Sequence, residues 1–403
     1  MVAMRLTLQW SNARAVRAWC LIHKWTSLIC TLFILALCLT GLPLIFKEEI
    51  NDWLYADAAA ATMDGAAPTL SLDRMADTAK QRYPGEFVQF LFWNPDRPHV
   101  VTFGMSPRSR AESAAQLHAL AIDARTGEVI SEPKPRRGVM FFLLKLHSDM
   151  FLGLGGTLFL GAMGLLLVAA LVSGAVLYGP FMRKLDFGEV RRTRAHTVKW
   201  LDLHNLLGIV SLTWVLAVAA TGAMNTLAAP LFDLWRAREL PRLLSEHQGK
   251  PLPAKLSSVD EAVALARAVS PDMRLVSVVF PHSRFTSPRH YLVWTKGITP
   301  LRAHLFAPVM IDAETGKLAG VLTLPWYVRV LELSRPLHFG NYGGMPLKII
   351  WALLDLVTII VLGSGLYLWL GRRRSSMEAM VGESHIDGLA LKAESPRSIG
   401  RKQ

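Results

Sequence analysis

The 28 residues FLGLGGTLFLGAMGLLLVAALVSGAVLY, Phe151–Tyr178, contain no charged side chain. A helix that crosses a bilayer needs about 20 consecutive apolar residues, so this stretch is long enough to span a membrane. The same length and apolar character recur three times, at Thr26–Phe46, Leu206–Ala228 and Leu347–Leu370. The sequence therefore predicts an α-helical membrane protein with four transmembrane helices.

The net charge of +13 is concentrated in three basic clusters. They are Arg5, Arg14, Arg17 and Lys24; Arg183, Lys184, Arg191, Arg192, Arg194 and Lys199; and Arg372, Arg373 and Arg374. In a four-pass topology all three clusters fall on one side of the membrane. Because basic residues favour the cytoplasmic side, both termini are expected in the cytoplasm. This distribution accounts for the charge without a nucleic-acid partner and leaves membrane lipid as the expected surroundings.

The expected organisation alternates membrane helices with two long outward loops. Its segments are 1–25, a cytoplasmic N-terminal segment; 26–46, the first transmembrane helix; 47–146, an outer domain; 147–178, the second helix; 179–203, a basic cytoplasmic loop; 204–228, the third helix; 229–346, a second outer domain; 347–370, the fourth helix; and 371–403, a disordered cytoplasmic tail. Each outer loop reads as a helix, three strands and a hairpin turn, Asp123–Gly127 or Asp312–Gly316. Glycine at a positive-φ turn position is typical of hairpins, so two small α+β domains are expected.

Histidines and Ser/Thr-Gly pairs repeat with the same spacing in both halves of the chain. His23 precedes Thr40-Gly41, and His204 precedes Thr221-Gly222, by 17 residues; His147 precedes Ser173-Gly174, and His338 precedes Ser364-Gly365, by 26 residues. The spacing predicts two copies of one unit. Since both copies begin on the cytoplasmic side, the repeats are parallel and related by an axis along the membrane normal.

The four repeated histidines are expected at the ends of the membrane helices. His23 and His204 fall at the cytoplasmic ends, and His147 and His338 at the outer ends. Facing histidines from different helices are the axial ligands of a bis-histidine haem b, whereas a c-type haem would need a Cys-x-x-Cys-His motif that the sequence lacks. Two haem b groups are therefore predicted, one on each side of the membrane.

Other residues near these histidines leave alternatives open. Arg137 and Arg335 are candidates to pair with haem propionates. His196, eight residues before His204, is a rival inner ligand if the helix extends that far. A zinc or copper site is a further alternative, with Asp355 as the main acidic residue to complete it.

Two haems in opposite leaflets would form a path for electrons. The 17 residues from His23 to Thr40 span roughly 25 Å as a helix, close to the thickness of the hydrocarbon core, about 30 Å. Bis-histidine ligation leaves no open position on the iron, which favours electron transfer over oxygen chemistry.

The segments Leu21–Trp25, Leu203–Gly208 and Leu337–Gly344 resemble the PepSY-associated transmembrane family, and the two Asp-Ala-x-Thr-Gly turns resemble those of PepSY modules. The resemblance covers nearly the whole chain up to Arg374. It implies an iron-regulated protein of the bacterial inner membrane with PepSY-like periplasmic domains. It also implies a di-haem reductase that delivers electrons to a periplasmic ferric siderophore and releases Fe(II).

Two other classes of protein compete with this interpretation. One is a haem-free membrane protein whose PepSY-like modules bind peptides or peptidases; it predicts that all four histidines are replaceable. The other is a transporter, suggested by the repeat symmetry but disfavoured by the scarcity of charges in the helices. The sequence contains no Gly-x-Gly-x-x-Gly motif, so a quinol or a cytoplasmic partner is the expected electron donor.

Overall fold

The computed structural model describes residues 13–54, 69–93, 97–109, 117–133, 137–182, 185–191, 195–244, 253, 255–299 and 305–393. In chain order the elements are α1 (Ala13–Ile45), α2 (Lys47–Leu54), α3 (Leu72–Arg82), β1 (Phe87–Trp93), β2 (Val100–Ser106), β3 (His118–Asp123), β4 (Val129–Ser131), α4 (Val139–Asp149), α5 (Gly153–Met182), α6 (His196–Asn225), α7 (Ala228–Leu244), α8 (Val259–Val269), β5 (Met273–Val279), β6 (His290–Gly297), β7 (Phe306–Asp312), β8 (Leu318–Val321), α9 (Trp326–Phe339) and α10 (Gly344–Ala393).

The chain divides into two compact units. The helical unit comprises Met1–Leu42, Ala162–Ala220 and Ile349–Gln403, and the sheet unit comprises Pro43–Gly161 and Thr221–Lys348. In the helical unit, buried side chains of α1, α5, α6 and α10 form one apolar core.

Within the described residues, four helices are long and apolar enough to cross a membrane, over Arg14–Ile45, Gly153–Gly179, His196–Asn225 and Gly344–Gly371. This matches the four spans that hydropathy predicted. However, α1 begins at Ala13 and α6 at His196, earlier than the predicted starts at 26 and 204. Hydropathy marks only the apolar part of a helix, whereas Arg, Ala and Lys at the flanks are also good helix formers.

The predicted second transmembrane segment, 147–178, begins too early. Residues 147–149 belong to α4, and Met150 and Phe151 after them have φ values of 52° and 61°. Two consecutive left-handed residues end a helix. The long helix α5 therefore begins only at Gly153.

The prediction of a disordered tail over 371–403 is wrong for residues 371–393. There α10 continues to Ala393. Arg, Ala, Met, Glu and Leu make up 12 of these 23 residues, and they extend a helix easily once it is nucleated. Residues 394–403 lie outside the described part of the chain.

In the part of the chain that the structure describes, one antiparallel sheet of eight strands replaces the two separate outer domains that the sequence predicted. Its strand order is β4-β3-β2-β1-β5-β6-β7-β8. β1 and β5 join the two halves through the pairs Phe90↔Val279, Leu91↔Val278 and Phe92↔Ser277. In separate domains each of these strands would be an edge with unpaired backbone groups, and pairing removes both edges. The two predicted hairpin turns are confirmed, with φ of 76° at Gly127 and 69° at Gly316.

Helices cover both faces of this sheet. α3 and α8 pack on one face, where Tyr291 and Val293 belong to the buried core. Leu292, between them, faces the other side together with Trp235 of α7 and Val328 of α9. Successive residues of a strand point to opposite faces, so β6 is apolar on both.

The N-termini of α3 and α8 cap each other. Asp260 of α8 accepts hydrogen bonds from the backbone amides of Leu72 (2.9 Å) and Asp73 (3.0 Å). Asp73 of α3 in turn accepts from the Val259 amide at 2.9 Å and from the Ser258 hydroxyl. The first amides of a helix have no partner within it and carry partial positive charge. The two carboxylates satisfy these amides and hold the two halves of the sheet unit together.

We expect Asp73→Ala to lower the free energy of unfolding by about 2–4 kcal/mol, because two hydrogen bonds to a charged group are lost. The control is Asp77→Ala on the same helix, which removes an exposed ion pair with Lys80 and should cost about 0.5 kcal/mol or less. Thermal unfolding of the full-length protein in detergent compares them. Equal melting temperatures for the two variants would contradict the capping role.

The stability of the same variant, Asp73→Ala, should depend less on acidic pH than that of the wild type. Burial raises the pKa of Asp73, but hydrogen bonds from Ser258 and Val259 outweigh it, and the pKa lies below its usual value. A carboxyl group whose pKa is lowered in the folded state stabilises that state fully at pH values above its unfolded pKa, about 3.9. That stability is lost as the pH falls through the folded pKa. The melting temperature of Asp73→Ala should therefore fall less than that of the wild type between neutral pH and about pH 3.

Candidate functional site

The first histidine pair lies in the helical unit. His23 is on α1 and His204 is on α6, and their ring centres are 6.5 Å apart with 69° between the ring planes. The sequence analysis predicted these two histidines at the cytoplasmic ends of the first and third helices.

Hydrogen bonds to Nδ1 orient both rings of this pair. His23 Nδ1 lies 2.9 Å from the carbonyl oxygen of Ala170 and 3.3 Å from Ser173 Oγ. His204 Nδ1 lies 3.0 Å from the carbonyl oxygen of Val361 and 3.0 Å from Ser364 Oγ. Because a carbonyl oxygen can only accept, Nδ1 of each ring carries the hydrogen and donates it. Each Nε2 then keeps the lone pair with which an imidazole binds a metal.

The second histidine pair lies in the sheet unit. His147 is in the last turn of α4 and His338 in the last turn of α9. Their ring centres are 6.2 Å apart, with 56° between the planes. The sequence analysis put these histidines on the second and fourth transmembrane helices, which needs correction. Each lies on a short helix that ends in a left-handed residue, Met150 or Gly340, before the long helix begins.

Among the described residues, three glycines lie directly against histidine rings. A Cβ atom added at these glycines would lie 2.9–3.2 Å from a histidine Cε1 atom: 3.1 Å at Gly174 for His23, 3.2 Å at Gly365 for His204, and 2.9 Å at Gly222 for His338. Distances this short leave no room for a side chain in a packed interior. Three of the four repeated Ser/Thr-Gly pairs therefore make room for a histidine ring from another helix.

The sequence analysis found the Ser/Thr-Gly pairs by their spacing but missed what they do. Ser173 and Ser364 lie beside the ring nitrogens, and the carbonyls of Ala170 and Val361 accept the Nδ1 hydrogens. A backbone carbonyl carries no sequence signal. The position of the serine before each glycine was the one available hint.

Each histidine pair offers two nitrogen donors. In the part of the chain that the structure describes, no three His, Cys, Asp or Glu side chains come together as a group able to hold a metal ion. A pair of imidazoles can bind a metal whose remaining ligands come from another source, such as a macrocycle.

The two predicted propionate partners have different surroundings. Arg335 lies on α9, one turn before His338, where it forms an ion pair with Glu332 at 3.4 Å and lies over the ring of Phe232 at 5.8 Å. Arg137 is exposed and precedes α4. Both remain available to an anionic group, Arg335 only partly because Glu332 already engages it.

Two rival ligands from the sequence analysis lie apart from the pairs. α6 does extend to His196, but this residue is exposed at the first position of the helix, about 12 Å along the axis from His204. Asp355 is buried in α10, where it accepts a hydrogen bond from Cys38. Neither joins His23 and His204.

Within the described residues, four candidate membrane spans, one eight-stranded antiparallel sheet and two histidine pairs indicate a membrane protein with a separate sheet unit. The family model described as the PepSY-associated TM region matches residues 20–372, and the chain belongs to this family. The matched range includes all four paired histidines.

A relative from Pseudomonas aeruginosa, the uncharacterized protein PA4219, is 27% identical over 263 residues. The alignment covers 59% of this chain and 65% of the relative. The chain therefore spans less than two thirds of that relative's length.

Proposed function

We propose that this protein is a di-haem b reductase of the bacterial inner membrane that passes electrons to a periplasmic ferric siderophore and releases Fe(II). The observation that carries the proposal is the spacing of the two histidine pairs. With metal–nitrogen bonds of about 2.0 Å and about 1.2 Å from each nitrogen to its ring centre, two axial imidazoles have ring centres about 6.4 Å apart. The distances of 6.5 Å and 6.2 Å fit this value.

The donor set and its surroundings also fit a haem. A histidine that binds a metal usually donates its other ring hydrogen to a carbonyl or a similar acceptor, which fixes the ring and raises its basicity. Ala170 and Val361 provide these acceptors for His23 and His204. When bound, each haem would supply a one-electron iron couple at the pair that holds it. The two histidines of each pair would hold that haem. The glycines at positions 174, 222 and 365 leave room for three of the four rings.

We further propose that the chain consists of two parallel repeats with both termini in the cytoplasm and the sheet in the periplasm. The three basic clusters support this orientation, because they fall on one side of a four-pass chain. The element order supports the repeat: a helix and four strands, α3 and β1–β4, recur as α8 and β5–β8. His147 and His338, in the sheet unit, would then hold the periplasmic-side haem.

In the proposed reaction, a quinol or a cytoplasmic reductant is the source of electrons, and a haem held by His23 and His204 would supply the redox couple on that side. One electron passed on to each ferric chelate yields Fe(II), which siderophores bind poorly. The residues of this chain have a positioning role. His23 and His204 would hold one haem and His147 and His338 the other, and two histidines on each haem would favour electron transfer over oxygen chemistry.

The purified protein tests this proposal by its spectrum. We expect a Soret band and, after dithionite reduction, the α-band of a six-coordinate haem b. Under anaerobic conditions, a ferric siderophore should reoxidise the reduced protein within the mixing experiment. A colourless protein from haem-replete cells would contradict the haems and favour the haem-free binding protein. A coloured protein that the siderophore does not reoxidise would contradict only the substrate.

A further inference from the structure

Three basic residues lie together on the face of the sheet that packs against α7 and α9. Arg274 of β5 and Lys296 of β6 are register partners on neighbouring strands. Lys296 shares its face with Leu292 and Trp294. Arg335, on α9, acts electrostatically on Lys296. These three residues are called the basic patch, and one of them, Arg335, lies one helical turn before His338 on α9.

The positive charge of the basic patch is not balanced by its acidic neighbour. Glu332 is 5% exposed and forms its ion pair with Arg335. Burial, together with the charges of Arg274 and Arg335, lowers the pKa of Lys296 despite the opposing effect of Glu332. Like charges opposite each other on neighbouring strands destabilise a sheet. Folding alone therefore gives no reason for this arrangement, and perturbed ionisable groups of this kind cluster at functional sites.

Aromatic rings hold two of the cations in place. Lys296 Nζ lies 5.0 Å from the ring centre of Phe306, and Arg335 Cζ lies 5.8 Å from that of Phe232. A cation over a ring face keeps its N–H groups free for another acceptor. In the described part of the chain, neither Arg274 nor Lys296 forms an ion pair with a carboxylate.

We propose that the basic patch binds the substrate, and that the substrate is an anionic ferric chelate with carboxylate groups. This inference rests on the proposed reductase function and names its substrate class. Carboxylates accept strong, charge-assisted hydrogen bonds from arginine and lysine. A chelate held by Arg274 and Lys296 would lie beside the helix that carries His338, so the patch brings the electron acceptor to the second histidine pair.

Binding of redox-inert gallium(III) citrate to the full-length protein in detergent tests the patch without electron transfer. Isothermal titration calorimetry should show binding that weakens as salt is added. The double variant Arg274→Gln/Lys296→Gln should weaken it about tenfold or more, since two hydrogen bonds between charged groups are lost. Glu332→Gln should strengthen it, because it removes the opposing negative charge.

Arg267→Gln is the matched control, since Arg267 is exposed on α8, which packs on the opposite face of the sheet. Unchanged affinity in the double variant would overturn the proposal, and so would equal loss in the control. Equal affinity for metal-free citrate would reveal a general anion site and overturn it as well. Displacement of the chelate by phosphatidylglycerol nanodiscs would assign the patch to lipid. A colourless wild-type protein that still binds the chelate would contradict the proposed haems but would support the proposed binding site.

Discussion

His147→Ala is expected to remove about half of the haem from the purified protein. The side chain would provide one of the two axial ligands of a single haem, and its partner His338 cannot hold that haem alone in a stable six-coordinate state. The other pair, His23 and His204, lies in the helical unit and should keep its haem. The pyridine haemochromogen assay gives the ratio of haem to protein, expected to fall to about half of the wild-type ratio.

Combined variants make this prediction sharper. Because His147 and His338 would bind the same iron, the double variant should lose no more haem than either single variant, a clear departure from additivity. His147→Ala combined with His23→Ala should be colourless. His196→Ala is the control, since this histidine is exposed and outside both pairs. Full haem content in His147→Ala would contradict the assignment.

The sequence predicted those parts of the fold that depend on local signals. Ser258 caps α8 through its side chain, and Gly127 and Gly316 adopt the positive φ that their turns require. These signals lie within a few residues of the structure that they specify. For the same reason, the helix expected in each outer loop is present, as α3 and α8.

Long-range pairing could not be predicted in this way. Nothing in the residues of β1 specifies that Leu91 pairs with Val278 of β5, because strand register depends on the partner strand and its face. The ends of α4 also escaped prediction. Met150 and Phe151 adopt left-handed conformations that glycine or asparagine would have signalled.

The histidine pairs could be predicted from the sequence only in part. Repeated spacing and topology were sufficient to predict which rings meet, since His23 could approach His204 only from the same end of the bundle. The contacts that orient the histidine rings could not be predicted from the sequence. They depend on carbonyl oxygens of Ala170 and Val361 and on glycines of other helices, none of which adjoins a histidine in the chain.

Gly365→Val is expected to remove the other haem, the one proposed at His23 and His204. A Cβ atom at position 365 would lie 3.2 Å from His204 Cε1, and valine adds two further methyl groups on the same side. The ring would have to move away from Val361 and Ser364, to which its Nδ1 is hydrogen-bonded. Because Nε2 moves with the ring, His204 would no longer be placed to hold the haem. Haem content should fall to about half, as for a lost ligand.

Gly363→Val, on the same helix, makes the matched control. A Cβ atom there meets nothing within 4 Å, so this variant should keep both haems and rule out a general effect of valine on α10. Gly365→Ala should be intermediate, because the Cβ atom alone requires a shift of a few tenths of an ångström. Gly365→Val combined with His147→Ala should be colourless, which identifies the haem lost. A Gly365→Val protein with two low-spin haems would contradict the view that this glycine positions His204. A graded loss from glycine through alanine to valine would show that ring position, more than the mere presence of the histidine, determines whether the haem is held.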